Sequence, residues 1–349
     1  MKDTVIVYGC YGYTGRLVVD ELIKLGVSPV LSGRNAEKVE ALGSELKLKA
    51  KPSSLDSSEL DELMKGAKVM VHCAGPFIHT ANAMMKACIR NGVHYTDITG
   101  EIDVFKMGNE YDAEAKKANV IVLPGAGFDI VPSDCLAAHL YSKLGDAVDL
   151  EMAFFSEGRA SRGTSLTVVE GIGNGGMIRK DGKLTRVREG HDVKSFQFGT
   201  KRMNAVTIPW GDVYTAYIST GIPNTRVYMG LPDKVIASMK LGRWLAPILK
   251  MDWVKDRMRK KIKSGKAGPS EASRESGKMY LTGTVTNAKG ETASADLETP
   301  SGYKLTALTA AKIAERLLTS ERSSGFQTPS MLFGKDFILE IEGTERRDR

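Results

Sequence analysis

Residues 4–34 constrain this chain more than any other stretch. Thr4-Val-Ile-Val-Tyr8 has the unbroken apolar character of a buried parallel strand. Gly9-Cys-Tyr-Gly12-Tyr-Thr-Gly15 follows as a glycine-rich turn, and residues 16–25 carry a helical pattern. A second apolar run, Pro29-Val-Leu31, ends at Ser32-Gly33-Arg34. Strand, glycine turn, helix and strand in this order form the unit that holds a dinucleotide. Gly9 permits the tight turn, Gly12 lets backbone approach a pyrophosphate, and Gly15 lets the helix pack on the strand. Tyr11, Tyr13 and Thr14 sit in the same turn. The helix start offers free N–H groups and the positive end of its dipole to phosphate.

The end of the second strand selects the cofactor. A site for NAD places Asp or Glu there, to bond the ribose 2′-hydroxyl. This chain has no acid between Val27 and Ala36; it has Ser32, Gly33 and Arg34, with Lys38 one turn later. A guanidinium fork pairs with a phosphate, so the expected cofactor is NADP(H).

Composition narrows the remaining classes. The chain of 349 residues is long enough for two domains. Its net charge of +7 is concentrated in residues 255–266, where Lys255, Arg257, Arg259, Lys260, Lys261, Lys263 and Lys266 face only Asp256. The remainder is close to neutral, which argues against nucleic acid as a partner. The cysteines Cys10, Cys73, Cys88 and Cys135 are scattered and form no CxxC pair. That pattern predicts a reducing, cytoplasmic setting without disulfides. His72, His79 and His94 lack metal-ligand spacing, so no metal is expected. No signal peptide is visible, and no apolar run reaches the roughly 20 residues of a membrane span.

The pattern of strand and helix continues to residue 123. Helices are expected over 36–46, 58–65 (behind a serine cap), 80–91 and 102–117; strands over 48–51, 68–73, 94–97 and 119–123. Strands alternating with helices predict a doubly wound parallel sheet of Rossmann type. Its carboxyl ends, at Gly9, Ser32, Ala74-Gly75-Pro76-Phe77, Thr99-Gly100 and Gly125, should converge on one crevice. The texture then changes. Residues 148–155 read as a strand, and 162–170 as a helix capped by Thr164 or Ser165. Runs over 192–208 and 213–229 read as β-rich, and 279–287 with 292–298 as a hairpin around Ala288-Lys-Gly290. The expected organisation is a nucleotide-binding domain over 1–135 and a second α+β domain on a mixed or antiparallel sheet over 136–304. A C-terminal helix and tail over 305–349 should pack back on the first domain, with residues 345–349 frayed.

A second informative stretch is Gly127-Phe-Asp-Ile-Val-Pro-Ser-Asp134. With the N-terminal turn it resembles the saccharopine dehydrogenase-like oxidoreductases, and among them the trans-acting enoyl reductase branch. The resemblance continues through Gly163-Thr-Ser165, Pro209-Trp-Gly-Asp212, Ser219-Thr-Gly-Ile-Pro223 and Gly302-Tyr-Lys-Leu-Thr306. It implies a Rossmann domain, an α+β second domain, NADP(H), and hydride transfer to a small or lipid-derived acceptor. On the residues alone, Gly127 and Phe128 close over the nicotinamide, Asp129 is an Asx-type cap, and Pro132 opens a helix reaching residue 144.

A nicotinamide enzyme must position its acceptor, exclude water and supply a proton. Gly75, Pro76 and Phe77 are placed to floor the site, and the candidate proton donors are Glu101, Asp97, Asp129 and Tyr95. No tyrosine has lysine four positions on, which excludes the Tyr-x-x-x-Lys pair of short-chain dehydrogenases. A catalytically silent NADP(H) sensor is the alternative. In the basic segment, Pro247 opens a helix whose Ile248, Met251, Val254, Met258 and Ile262 share one face, with Trp244 and Trp253 nearby. That face either packs on protein, including a second subunit of a homodimer, or brings residues 244–263 to a membrane surface.

Overall fold

The computed structural model describes residues 3–157, 161–171, 175–242, 251–265, 268–319 and 323–349. The chain divides into two compact units: residues 1–131 with 303–332, and residues 132–302 with 333–349. Trp244, Pro247 and Ile248 lie outside the described residues.

The first unit is built on a six-stranded parallel sheet. Its strands are β1 (Thr4–Tyr8), β2 (Val30–Ser32), β3 (Ala67–His72), β4 (His94–Asp97), β5 (Ile121–Leu123) and β14 (Gly325–Phe326). They lie in the order β14-β5-β4-β3-β1-β2. β1 lies between β2 and β3, and Val5, Ile6, Val7 and Tyr8 are all buried, as a strand covered on both faces requires. The chain leaves β1 for β2 on one side and returns to β3 on the other, so the switch point lies between β1 and β3.

The helix Tyr13–Lys24 buries Gly15, Val18, Val19 and Leu22, one stripe at helical spacing. Residues 48–51 make only an isolated bridge, Leu31 to Ala50, rather than the expected strand. The sixth strand is instead the two-residue β14, pairing with β5 from beyond the helix Gly302–Thr319. The helix expected over 102–117 is two, Ile102–Glu110 and Asp112–Lys117, joined at Tyr111. Ser57–Leu63 has Asp56, not serine, at its N-cap position.

Among the described residues the second unit carries a nine-stranded mixed sheet, which includes β7 (Gly176–Lys180), β8 (Lys183–Val187), β9 (Val193–Phe198) and β10 (Lys201–Thr207). β6 (Ala147–Ser156) pairs parallel with β11 (Asn224–Gly230) and antiparallel with β12 (Lys278–Asn287). β13 (Thr292–Pro300) closes the expected hairpin with β12. There the Asn287 side-chain carbonyl accepts from the N–H groups of Lys289 and Glu291, both at 3.0 Å. Gly283 leaves room for Leu136 and Leu140 of the helix Val131–Lys143, since a Cβ there would lie 2.7 Å from Leu140.

Three expectations fail in this unit. Asp212–Thr220 is a helix, although its β-branched and aromatic residues read as strand. Burial of Val213, Tyr214, Thr215 and Ala216 overrides that local preference, and Gly221 stops the helix at φ +76°. The helix Arg162–Gly171 is capped by Ser161, whose Oγ accepts from the Thr164 N–H at 3.2 Å. The C-terminus is not frayed, and residues 333–349 belong to the second unit rather than the first. Glu345–Asp348 forms strand β15 on β13, and Asp348 binds His139 at 2.5 Å and Lys143 at 2.8 Å.

Candidate functional site

Five loops at the carboxyl ends of the parallel strands build the site. Gly9 takes φ +85°, and a Cβ on it would lie 3.0 Å from Ala74, so the loops after β1 and β3 abut at the switch point. A Cβ on Gly15 would lie 2.2 Å from the Gly9 carbonyl oxygen. Only glycine lets the helix begin this close to the turn. The Gly12 N–H donates to that same carbonyl at 2.9 Å. The helix has no side-chain cap and no acid in its first turn. Its leading N–H groups are thus held in place for an anion. Thr14 is half-buried there, and Tyr13 meets the edge of Tyr303 at 5.3 Å.

The end of β2 is tied to this turn. The Ser32 carbonyl accepts from the Gly9 and Cys10 N–H groups at 2.8 and 3.2 Å. Its hydroxyl is buried and donates to the Lys51 carbonyl at 2.7 Å, so Ser32 fixes backbone rather than facing the crevice. The Tyr11 ring lies over Gly33, where a Cβ would come within 2.7 Å of it. The Tyr11 hydroxyl accepts from the Asn35 N–H at 3.3 Å, and the Lys38 ammonium stands 5.8 Å above the ring. Arg34 and Lys38 are exposed and form no ion pair among the described residues. An aromatic plane, two unpaired cations and an uncapped helix start fit a phosphorylated dinucleotide.

The loops after β3, β4 and β5 hold one another. The Glu101 carboxylate accepts from the Phe77 and Ile78 N–H groups at 2.9 and 2.8 Å. Phe77 is buried and stands edge-on to His72 at 5.3 Å; it is a core aromatic rather than a wall of the crevice. Burial pushes His72 down to about 3, so it is neutral, and its Nε2 meets the Thr80 hydroxyl at 2.8 Å. Asp97 is fully buried. Its Oδ1 accepts from the N–H groups of Thr99 and Gly125 at 3.0 and 2.9 Å, and its Oδ2 from the Tyr95 hydroxyl at 2.6 Å. The Thr99 hydroxyl accepts in turn from the Glu101 N–H at 3.0 Å. Asp97, Tyr95 and Glu101 therefore brace loops.

Asp129 is half-buried beside Gly100, where a Cβ would fall 2.8 Å from its Oδ2. Burial, with the negative charge of Glu101, pushes its carboxyl up to about 7. The loop that carries it is pinned from far along the chain. The Phe128 N–H donates to the Thr306 hydroxyl at 2.9 Å, and Thr309 donates to the Ala126 carbonyl at 2.7 Å. Gly127 provides clearance for Thr306 rather than for a ligand, since a Cβ would lie 2.8 Å from its methyl. Tyr303, Thr306 and Thr309 are site-building residues that sequence reasoning did not single out. The signal for Tyr303 and Thr306 was the glycine-led motif at 302–306. Among the described residues, no three His, Cys, Asp or Glu side chains gather to hold a metal.

Residues 5–123 match the saccharopine dehydrogenase NADP binding domain. This stretch is an NADP-binding domain of the saccharopine dehydrogenase type. The human saccharopine dehydrogenase-like oxidoreductase is 26% identical over 202 residues, covering 50% of this chain and 47% of its own. The trans-acting enoyl reductase of Mycobacterium ulcerans is 26% identical over 184 residues, 48% of this chain and 44% of its own. A Caenorhabditis elegans lipid droplet localized protein is 30% identical over 145 residues, 37% of this chain and 34% of its own. The chain thus spans about half the length, or less, of the curated relatives it matches. Yeast saccharopine dehydrogenase (L-Glu forming) superposes over 99% of this chain and 100% of its own with a TM-score of 0.66 at 13% identity, a likeness of fold. The cofactor of this domain is NADP(H).

Proposed function

We propose that the protein reduces a polarised double bond in a lipid-derived acceptor, with Asp129 as the proton donor. The observation that carries this reading is a half-buried carboxyl set against the Gly100 turn, at the carboxyl ends of the parallel strands, and pushed up to about 7 by burial and the charge of Glu101. Gly9, Gly12 and Gly15 seat the pyrophosphate, Arg34 and Lys38 take the 2′-phosphate, and the Tyr11 ring flanks the adenosine end. Bound NADPH supplies the hydride. Ala74, Gly75 and Pro76 line the near side of the crevice. Thr99 and Gly100 carry the backbone that faces Asp129. Hydride and one proton from Asp129 together saturate the double bond, a two-electron reduction that leaves Asp129 ionised until solvent reprotonates it.

Two relatives, named as an enoyl reductase and a lipid droplet localized protein, support a lipid-derived acceptor over an amino acid. The test is NADPH oxidation against enoyl thioesters, enals and imines. Turnover of an enoyl thioester is expected. Its rate should fall as pH rises through about 7, because the donor is active only when protonated. Asp129→Asn should bind NADPH normally yet slow turnover on the order of 10²–10⁴-fold and lose that pH limb. NADPH binding without turnover of any acceptor would refute the reading and leave a cofactor sensor.

A further inference from the structure

The basic helix Asp252–Lys263 has two faces with different fates. Val254, Met258 and Ile262, the stripe expected to be its apolar face, are half-buried, and the helix packs against Arg162–Gly171. Arg162 Nη2 donates to the Gly265 carbonyl at 2.6 Å and holds the pair together. That stripe is therefore occupied by the protein itself.

The opposite face is open. At 3.6 residues per turn Trp253, Arg257, Lys260 and Lys261 project to one side, and all four are exposed. Trp253 is 64% exposed and Met251, just before the helix, 47%. Val168 on the adjoining helix is 59% exposed. Asp256 is engaged by Arg259 at 2.7 Å, whereas Arg257, Lys260 and Lys261 form no ion pair among the described residues. An indole and a thioether held in water beside free cations match an interface that is apolar below and anionic at its rim. A nucleic acid would satisfy the cations but would leave Met251 and Val168 in water.

We propose that this face docks the protein on an anionic lipid surface. Trp253 and Met251 enter the boundary between headgroups and acyl chains, and Arg257, Lys260 and Lys261 pair with lipid phosphates. The stripe at 254, 258 and 262 stays packed, so docking requires no refolding of the helix. This inference is independent of the proposed reaction.

The test is co-sedimentation with vesicles of phosphatidylcholine alone and of phosphatidylcholine mixed with phosphatidylglycerol. Binding is expected on the mixed vesicles only, weakened by high salt, with a blue shift of tryptophan emission. The doubly reversed K260E/K261E variant should lose partitioning by about tenfold or more. Trp253→Ala should lose both affinity and the emission shift. NADPH affinity, measured on each variant, should not move, because these side chains are exposed. Failure of the intact protein to sediment, or unchanged sedimentation of both variants, overturns the proposal. So does equally tight binding to duplex DNA that survives Trp253→Ala.

Discussion

Replacing Arg34 by alanine tests the interaction proposed to distinguish NADPH from NADH. Arg34 lies at the end of β2, exposed and without an ion pair among the described residues. Its removal leaves no buried group unsatisfied, so the fold should lose less than about 0.5 kcal/mol. A charge-assisted hydrogen bond to a phosphate contributes about 1.5–3 kcal/mol. That range converts to a Kd for NADPH raised about 10- to 150-fold, at about 1.4 kcal/mol per tenfold. NADH has no 2′-phosphate, so its Kd should stay within experimental error. Lys38 is one turn away and retains part of the attraction, so the double variant R34A/K38A should bring the two cofactors close to equal affinity. The assay is isothermal titration of each cofactor at about 0.1 M salt, where the Debye length is ~10 Å and remote charges contribute little. An unchanged Kd for NADPH would refute the assignment of Arg34. An equal loss for both cofactors would refute it too, because Arg34 would then contact a group they share.

Two stability predictions follow from the backbone around the site. Gly15→Ala places a methyl 2.2 Å from the Gly9 carbonyl oxygen, a backbone atom that cannot rotate aside, so the helix start must shift away from the turn. A urea titration should show a loss of about 1–3 kcal/mol, with NADPH affinity falling as well; wild-type values for both would show that the close approach is not needed. Thr309→Val keeps the side-chain shape but leaves the buried Ala126 carbonyl without its donor. The expected cost is about 1–2 kcal/mol in the same titration, and an unchanged midpoint would mean that this pin does not hold the Asp129 loop.

The first unit was legible because its chemistry repeats locally. Buried parallel strands such as Val5-Ile-Val-Tyr8 are apolar throughout, and glycines at 9, 12 and 15 have one physical use in that spacing. What could not be read depends on partners far apart in sequence. β14 has two residues and exists only because β5 offers an edge. Asp212–Thr220 reads as strand until burial makes it a helix. The charged run at 345–349 reads as solvated until His139 and Lys143 supply its partners. The same limit governed the catalytic candidates. Asp97, Glu101 and Asp129 are equivalent as letters, each an acid near a strand end. Only the fold shows that the first two carboxylates receive backbone N–H groups from the loops they brace. In the proposed reaction those loops must be rigid for a hydride to be delivered at fixed distance, and their bracing commits the carboxylates of Asp97 and Glu101. The negative charge on Glu101 then helps keep Asp129 protonated near neutral pH. The bracing carboxylate therefore has a second effect: added to burial, its charge raises the proton affinity of Asp129, the acid proposed as proton donor.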